Sequence, residues 1–99
     1  MTVEALDHIN IVTADLDRAE HFYRDLLALE SRPAPSPLTQ ATARWMYDTG
    51  GRAVLHLNAF DAPRLMDRDM TAGPTGALHH VAFRCVGYDA LLARIAAMG

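Results

Sequence analysis

Apolar and polar residues alternate with period two in several short stretches of this chain. Elsewhere they recur at three- and four-residue steps. Residues 5–13 alternate around Ile9 and Ile11. A strand there places His8 and Asn10 together on the face opposite those isoleucines. Leu16, Ala19, Phe22, Tyr23, Leu26 and Leu27 then form the apolar stripe of a helix, with Phe22 and Tyr23 read as core. Asp15 or Asp17 caps it, and Asp17 with Glu20 forms a variant capping box. Arg18, His21, Arg24 and Asp25 lie off the stripe. Residues 29–32 read as a short strand, after which Pro33, Pro35 and Pro37 interrupt regular structure. Residues 42–48 and 53–60 form a hairpin turning at Thr49-Gly50-Gly51-Arg52, where paired glycines permit positive φ. In its second arm Val54, His56, Asn58 and Phe60 share a face, and Ala53, Leu55, Leu57 and Ala59 the other.

Residues 61–77 have no clean period and read as a linker. A further strand over 77–85 alternates Val81, Phe83 and Cys85 with His80, Ala82 and Arg84. This parity prefers His80 over His79 for the face that matches His8, and it buries Cys85 as an inert thiol. Asp89 caps a last helix whose stripe is Leu91, Leu92, Ile95 and Met98, with Gly99 as its C-cap. Leu78-His79-His80-Val81-Ala82-Phe83 thus repeats Leu6-Asp7-His8-Ile9-Asn10-Ile11 loosely, each followed by a helical pattern.

The repeat and the hairpin place three histidines, His8, His56 and His80, on strands whose like faces meet. Neutral imidazole is the commonest protein metal ligand. Such a set, with a carboxylate or water, suits Zn, Fe, Ni or Mn. The spacing matches no compact ligand signature such as H-E-x-x-H. A satisfied core or surface histidine is the alternative at each position. Asn10, Asn58, Trp45 and Tyr47 are candidates to orient a substrate, while Trp45 and Tyr47 serve equally as hairpin packing.

Composition narrows the function classes. The chain has 99 residues, 51% hydrophobic and 21% charged, a globular balance in one domain. Its net charge of −3 carries no basic cluster for nucleic acid. One cysteine forms no intrachain disulfide and fits a reducing compartment. No apolar run reaches the ~18 residues of a membrane span, and the first residues lack a signal peptide's layout. A cytoplasmic protein is expected. Gly50-Gly51 and Gly73-x-x-Gly76 lack the strand-to-helix setting of a phosphate loop.

The chain resembles the vicinal-oxygen-chelate superfamily of glyoxalases, bleomycin- and fosfomycin-resistance proteins and extradiol-type dioxygenases. The likeness rests on Leu6-Asp7-His8-Ile9-Asn10-Ile11-Val12, on Asp15-Leu16-Asp17-Arg18-Ala19 leading to Phe22-Tyr23-Arg24-Asp25-Leu26-Leu27, on Val54-Leu55-His56-Leu57, and on Gly76-Ala77-Leu78-His79-His80-Val81-Ala82-Phe83. It implies an α+β fold of paired β-α-β-β-β modules curled into a cup. Residues 1–60 correspond to the first module, 61–76 to the linker and 77–99 to the start of a second, truncated after its helix. It implies metal ligands at His8, His56 and His80, with a fourth, a glutamate, on a strand beyond Gly99. The expected function is a divalent-metal-dependent lyase, isomerase or dioxygenase acting on vicinal oxygens of a small molecule, with a homodimer as the assembly. The alternative is a metal-free sequestering protein like the bleomycin-resistance members. One departure concerns the helix end. Where the family usually has Leu-Gly, this chain has Leu27-Ala28, and a left-handed alanine costs about 1 kcal/mol, so a different helix end is expected.

Overall fold

A computed structural model describes residues 1–59 and 81–99. The elements run β1 (Ile9–Thr13), α1 (Leu16–Leu27), β2 (Glu30–Pro33), β3 (Ala43–Tyr47), β4 (Ala53–Ala59) and α2 (Tyr88–Met98). The four strands form one sheet in the order β1-β4-β3-β2. β1 runs parallel to β4, and the other two pairs are antiparallel. This is the β-α-β-β-β order that the alternation predicts. Pro33 ends the outer strand β2, where a missing N–H costs no ladder bond.

α1 lies across one face of the sheet. Leu16, Leu29, Met46, Leu55 and Leu57 form the buried core, with Ile9, Ile11, Ala19, Tyr23 and Leu27 packed against it. Of the paired aromatics, Tyr23 joins the core while Phe22 is 46% exposed. Neighbours on a helix point about 100° apart, and here that step leaves Phe22 exposed while Tyr23 faces the core. Asp15 is the N-cap, accepting from the Arg18 backbone N–H at 3.0 Å. Asp17 and Glu20 do not form a capping box. Both turn to Arg44 on β3, at 2.9 and 3.2 Å, and Ser31 donates to Glu20 at 2.7 Å. An ionic clasp across helix and sheet satisfies these carboxylates better than a backbone N–H that Asp15 has already capped.

α1 ends where a glycine would be expected, and Ala28 takes the left-handed C-cap position with φ 56° and ψ 30°. Its N–H donates to the Arg24 carbonyl at 3.0 Å. The expectation of a different helix end is therefore wrong: the cap hydrogen bond and the burial of Leu29 just beyond hold the alanine there. Ala28→Gly should raise unfolding free energy by about 0.5–1 kcal/mol, less than the full relief because glycine gains freedom in the unfolded chain. A urea titration showing no gain would count against strain at this cap.

The hairpin turn is organised by Asp48 rather than by two glycines. Its Oδ1 accepts from the backbone N–H groups of Gly50 and Arg52, each at 2.9 Å, and Oδ2 accepts from Arg52 Nε at 3.1 Å. Only Gly51 of the two glycines takes positive φ.

The later segment departs from its expected form. Residues 81–87 form no strand, and Val81, Phe83 and Cys85 are all exposed. A strand needs a ladder partner, and these residues pair with none of the four strands. Cys85 is consequently not the buried thiol that parity predicts. α2 packs on α1, and Arg94 Nε donates to the Leu26 carbonyl at 3.2 Å. No α2 residue is buried, and Leu92, Ile95 and Met98 are exposed. Its N-cap is Gly87, with Asp89 one residue inside the helix and making no cap bond. Gly99 does cap its end. The expected linker 61–76 and the histidines at 79 and 80 lie outside the described residues.

Candidate functional site

The face of the sheet opposite α1 collects the polar and aromatic residues. On β4, Leu55 and Leu57 enter the core, so His56 and Asn58 must point the other way. On β3, Met46 enters the core and Arg44 reaches α1, so Trp45 and Tyr47 share the face of His56. On β1, Ile9 and Ile11 pack toward the core, which turns Asn10 to the same side. No described helix covers this face.

Register makes these residues neighbours. Asn10 pairs with His56, His56 with Trp45, and Trp45 with Arg32 of β2. One row of side chains therefore crosses all four strands. The Trp45 and His56 rings stack with centroids 3.8 Å apart and planes 6° apart. His8 stacks on the far side of His56, again at 3.8 Å, with planes 13° apart. His8 precedes β1 rather than standing in the middle of a strand, as alternation predicts for it. It still reaches the site because its ring lies over His56. Asn58 Nδ2 donates to Asn10 Oδ1 at 2.7 Å. Asn58 is 4% exposed and His56 9%, so two buried polar side chains are built into this sheet face, with the exposed Asn10 beside them.

Each imidazole has a defined setting. His8 Nδ1 lies 2.7 Å from an Asp7 carboxylate oxygen, which leaves Nε2 as its outward nitrogen. His56 is held toward the neutral form: burial pushes its pKa down and the neighbouring His8 pushes the same way, against a hydrogen bond to the Ala53 backbone and the Asp7 charge. A neutral imidazole whose partner nitrogen meets a carboxylate is the state in which histidine binds metal. The donor chemistry of His8 and His56 thus suits a divalent cation. Their ring orientation is that of a stack. Parallel rings direct their in-plane lone pairs side by side, so a shared cation requires one ring to turn. His8, ahead of the ladder with its side chain 38% exposed, is the one placed to do so.

The third expected ligand, His80, lies outside the described residues. Among the described residues no three histidine, cysteine or carboxylate side chains group to hold a metal. His8, His56, Asn10, Asn58 and Trp45 are brought together. Tyr47 stands farther along β3, where the Arg32 guanidinium lies 4.4 Å from its ring centroid. Arg32 is the residue that sequence reasoning missed. The alternation in 29–32 is short, and only the register of β2 against β3 places Arg32 beside Trp45. A cavity of about 680 Å³ adjoins His8, lined among others by Asp7, Ile9, Arg52, Val54 and Phe83. Among the described residues, no helix is long and apolar enough to cross a membrane.

No curated protein and no solved structure matches the chain. A family model does match, over residues 7–99, and it spans the helix α1, all four strands, the stacked histidine face and α2. By that match the chain belongs to the Glyoxalase/Bleomycin resistance protein/Dioxygenase superfamily.

Proposed function

We propose that the chain is part of a divalent-metal-dependent enzyme acting on a small molecule with vicinal oxygens, with the sheet face of His8 and His56 as its site. The observation that carries this reading is the convergence of two imidazoles from separate segments. One is backed by the Asp7 carboxylate and the other is pushed toward the neutral form by burial. His8 and His56 would hold the cation, with His80 as the third ligand proposed from the family pattern. A bound divalent cation would act as a Lewis acid toward the paired oxygens of a substrate.

The remaining roles belong to the chain's own residues. Asn58 and Asn10 lock each other's amides by their 2.7 Å bond and fix the polar edge of the site. The Trp45 ring walls His56 on the side toward β2 and holds that imidazole upright on the sheet. Asp7 orients the His8 ring by accepting from Nδ1–H, so that Nε2 is the nitrogen turned outward.

One observation favours a second reading, a metal-free protein that sequesters a planar ligand. The ring stack at 3.8 Å is how aromatic side chains pack with no cation between them. Elemental analysis separates the two. The purified chain is equilibrated with Zn(II), Mn(II), Fe(II) or Ni(II), freed of unbound ion, and assayed for retained metal. The expected result is about one ion per chain, with affinity reduced by at least about tenfold in His8→Ala and in His56→Ala. Retention of no cation by the unmodified chain would sink the metal reading in favour of sequestration.

A further inference from the structure

The row Asn10–His56–Trp45 continues onto β2 at Arg32, and this residue has no part in the fold's core. The two arginines on the described strands contrast. Arg44, on the helix side, is 14% exposed and committed to Asp17 and Glu20. Arg32, on the open side, is 46% exposed at its side chain. Its guanidinium is nevertheless held in place. It sits over the Tyr47 ring and donates through Nε and Nη2 to the two oxygens of Glu30, at 3.1 and 3.0 Å. Nη1 has no partner among the described residues. Solvent screens an exposed pair of this kind, so Glu30 is a weak competitor for the guanidinium. An oriented guanidinium fork matches a carboxylate in both plane and spacing.

We propose that Arg32 is a specificity-determining residue of the site and that it selects small molecules carrying a carboxylate. Arg32 lies two strand spacings from His56, roughly 10 Å. The substrate class is therefore a small organic acid with its carboxylate at one end and its reacting oxygens at the other. Trp45 stands between the two ends and offers apolar surface to the intervening carbons. This deepens the metal-enzyme reading and rests on the same face being the site, but its recognition step involves no metal.

Trp45 is the chain's single tryptophan, so its fluorescence reports this face alone. The full chain is titrated with 3-phenylpropanoate and, separately, with the neutral 3-phenylpropanamide, both in EDTA. The chelator removes any preference due to a bound cation. The carboxylate should bind about tenfold more tightly than the amide, the strength of one charge-assisted pair. Arg32→Gln should abolish that preference. Glu30→Gln should strengthen carboxylate binding by removing its competitor. Equal binding of the two probes by the unmodified chain overturns the proposal, as does a preference that survives Arg32→Gln or a lack of response to either probe. A carboxylate preference that depends on Arg32, in a chain that retains no cation in the elemental assay, would keep this proposal and reject the metal reading.

Discussion

Leu57→Ala should destabilise the fold by about 3–4 kcal/mol, the largest effect of any single substitution considered. Leu57 has 0% exposure and sits on β4, which is paired on both sides, with Ile11 of β1 and Arg44 of β3 as its cross-strand partners. Its side chain lies in the core with Leu55, Met46 and Leu16. Removing it loses the transfer free energy of its carbons and leaves a void that two paired neighbours hold open. For a domain of this size the thermal midpoint should fall by roughly 15 °C or more. Leu92→Ala is the comparison. Leu92 is 46% exposed on α2, and its truncation should cost under about 1 kcal/mol. The two are read from urea midpoints at constant slope. Equal losses would mean that the core is not centred on β4.

The contrast between Leu57 and its neighbours His56 and Asn58 is the part of this molecule most open to sequence reading. Period-two alternation needs no partner to be seen. Once Leu55 and Leu57 are assigned to the core, His56 and Asn58 must occupy the opposite face, and they do. The same logic places Asn10 beside them, and the 2.7 Å amide pair follows. Relations between strands are harder. The stack of Trp45 on His56 depends on hairpin register, which the turn at Asp48 and the irregularity between Met46 and Tyr47 set together. Nothing in the spacing of Arg32 points to Trp45. Residues 81–87 fail for a different reason. Their alternation is genuine, but alternation describes a face, and a face becomes a strand only when a neighbour completes its hydrogen bonds. Cys85 is exposed as a result. The charged residues of α1 mislead because Asp17 and Glu20 carry a local capping pattern, whereas their partner Arg44 is far off in sequence.

That partnership underlies the second large effect. Arg44→Ala should cost about 2 kcal/mol, below the 3–5 seen when a fully buried pair is broken. The discount follows from exposure. Arg44 and Glu20 are 14% and 15% exposed at their side chains, but Asp17 is 78% exposed, and solvent screens its share. Burial works against the Arg44 charge, yet hydrogen bonds to Asp17 and Glu20 outweigh it, and its pKa is raised. Without the guanidinium, Glu20 keeps only the Ser31 hydroxyl as a partner while remaining largely out of water. Glu20→Ala in the same background should then cost little more, because the orphaned carboxylate is gone. A double-mutant cycle should give a coupling of about 1–2 kcal/mol between the two. Arg44 is adjacent to Trp45 on β3 and points to the opposite face, so the clasp to α1 also sets where Trp45 stands. Trp45 fluorescence should therefore shift in the folded Arg44→Ala protein, whereas it should not in the folded Leu92→Ala protein. An Arg44→Ala variant within about 0.5 kcal/mol of the unmodified chain, the range of an ordinary surface change, would reduce the clasp to a surface ion pair.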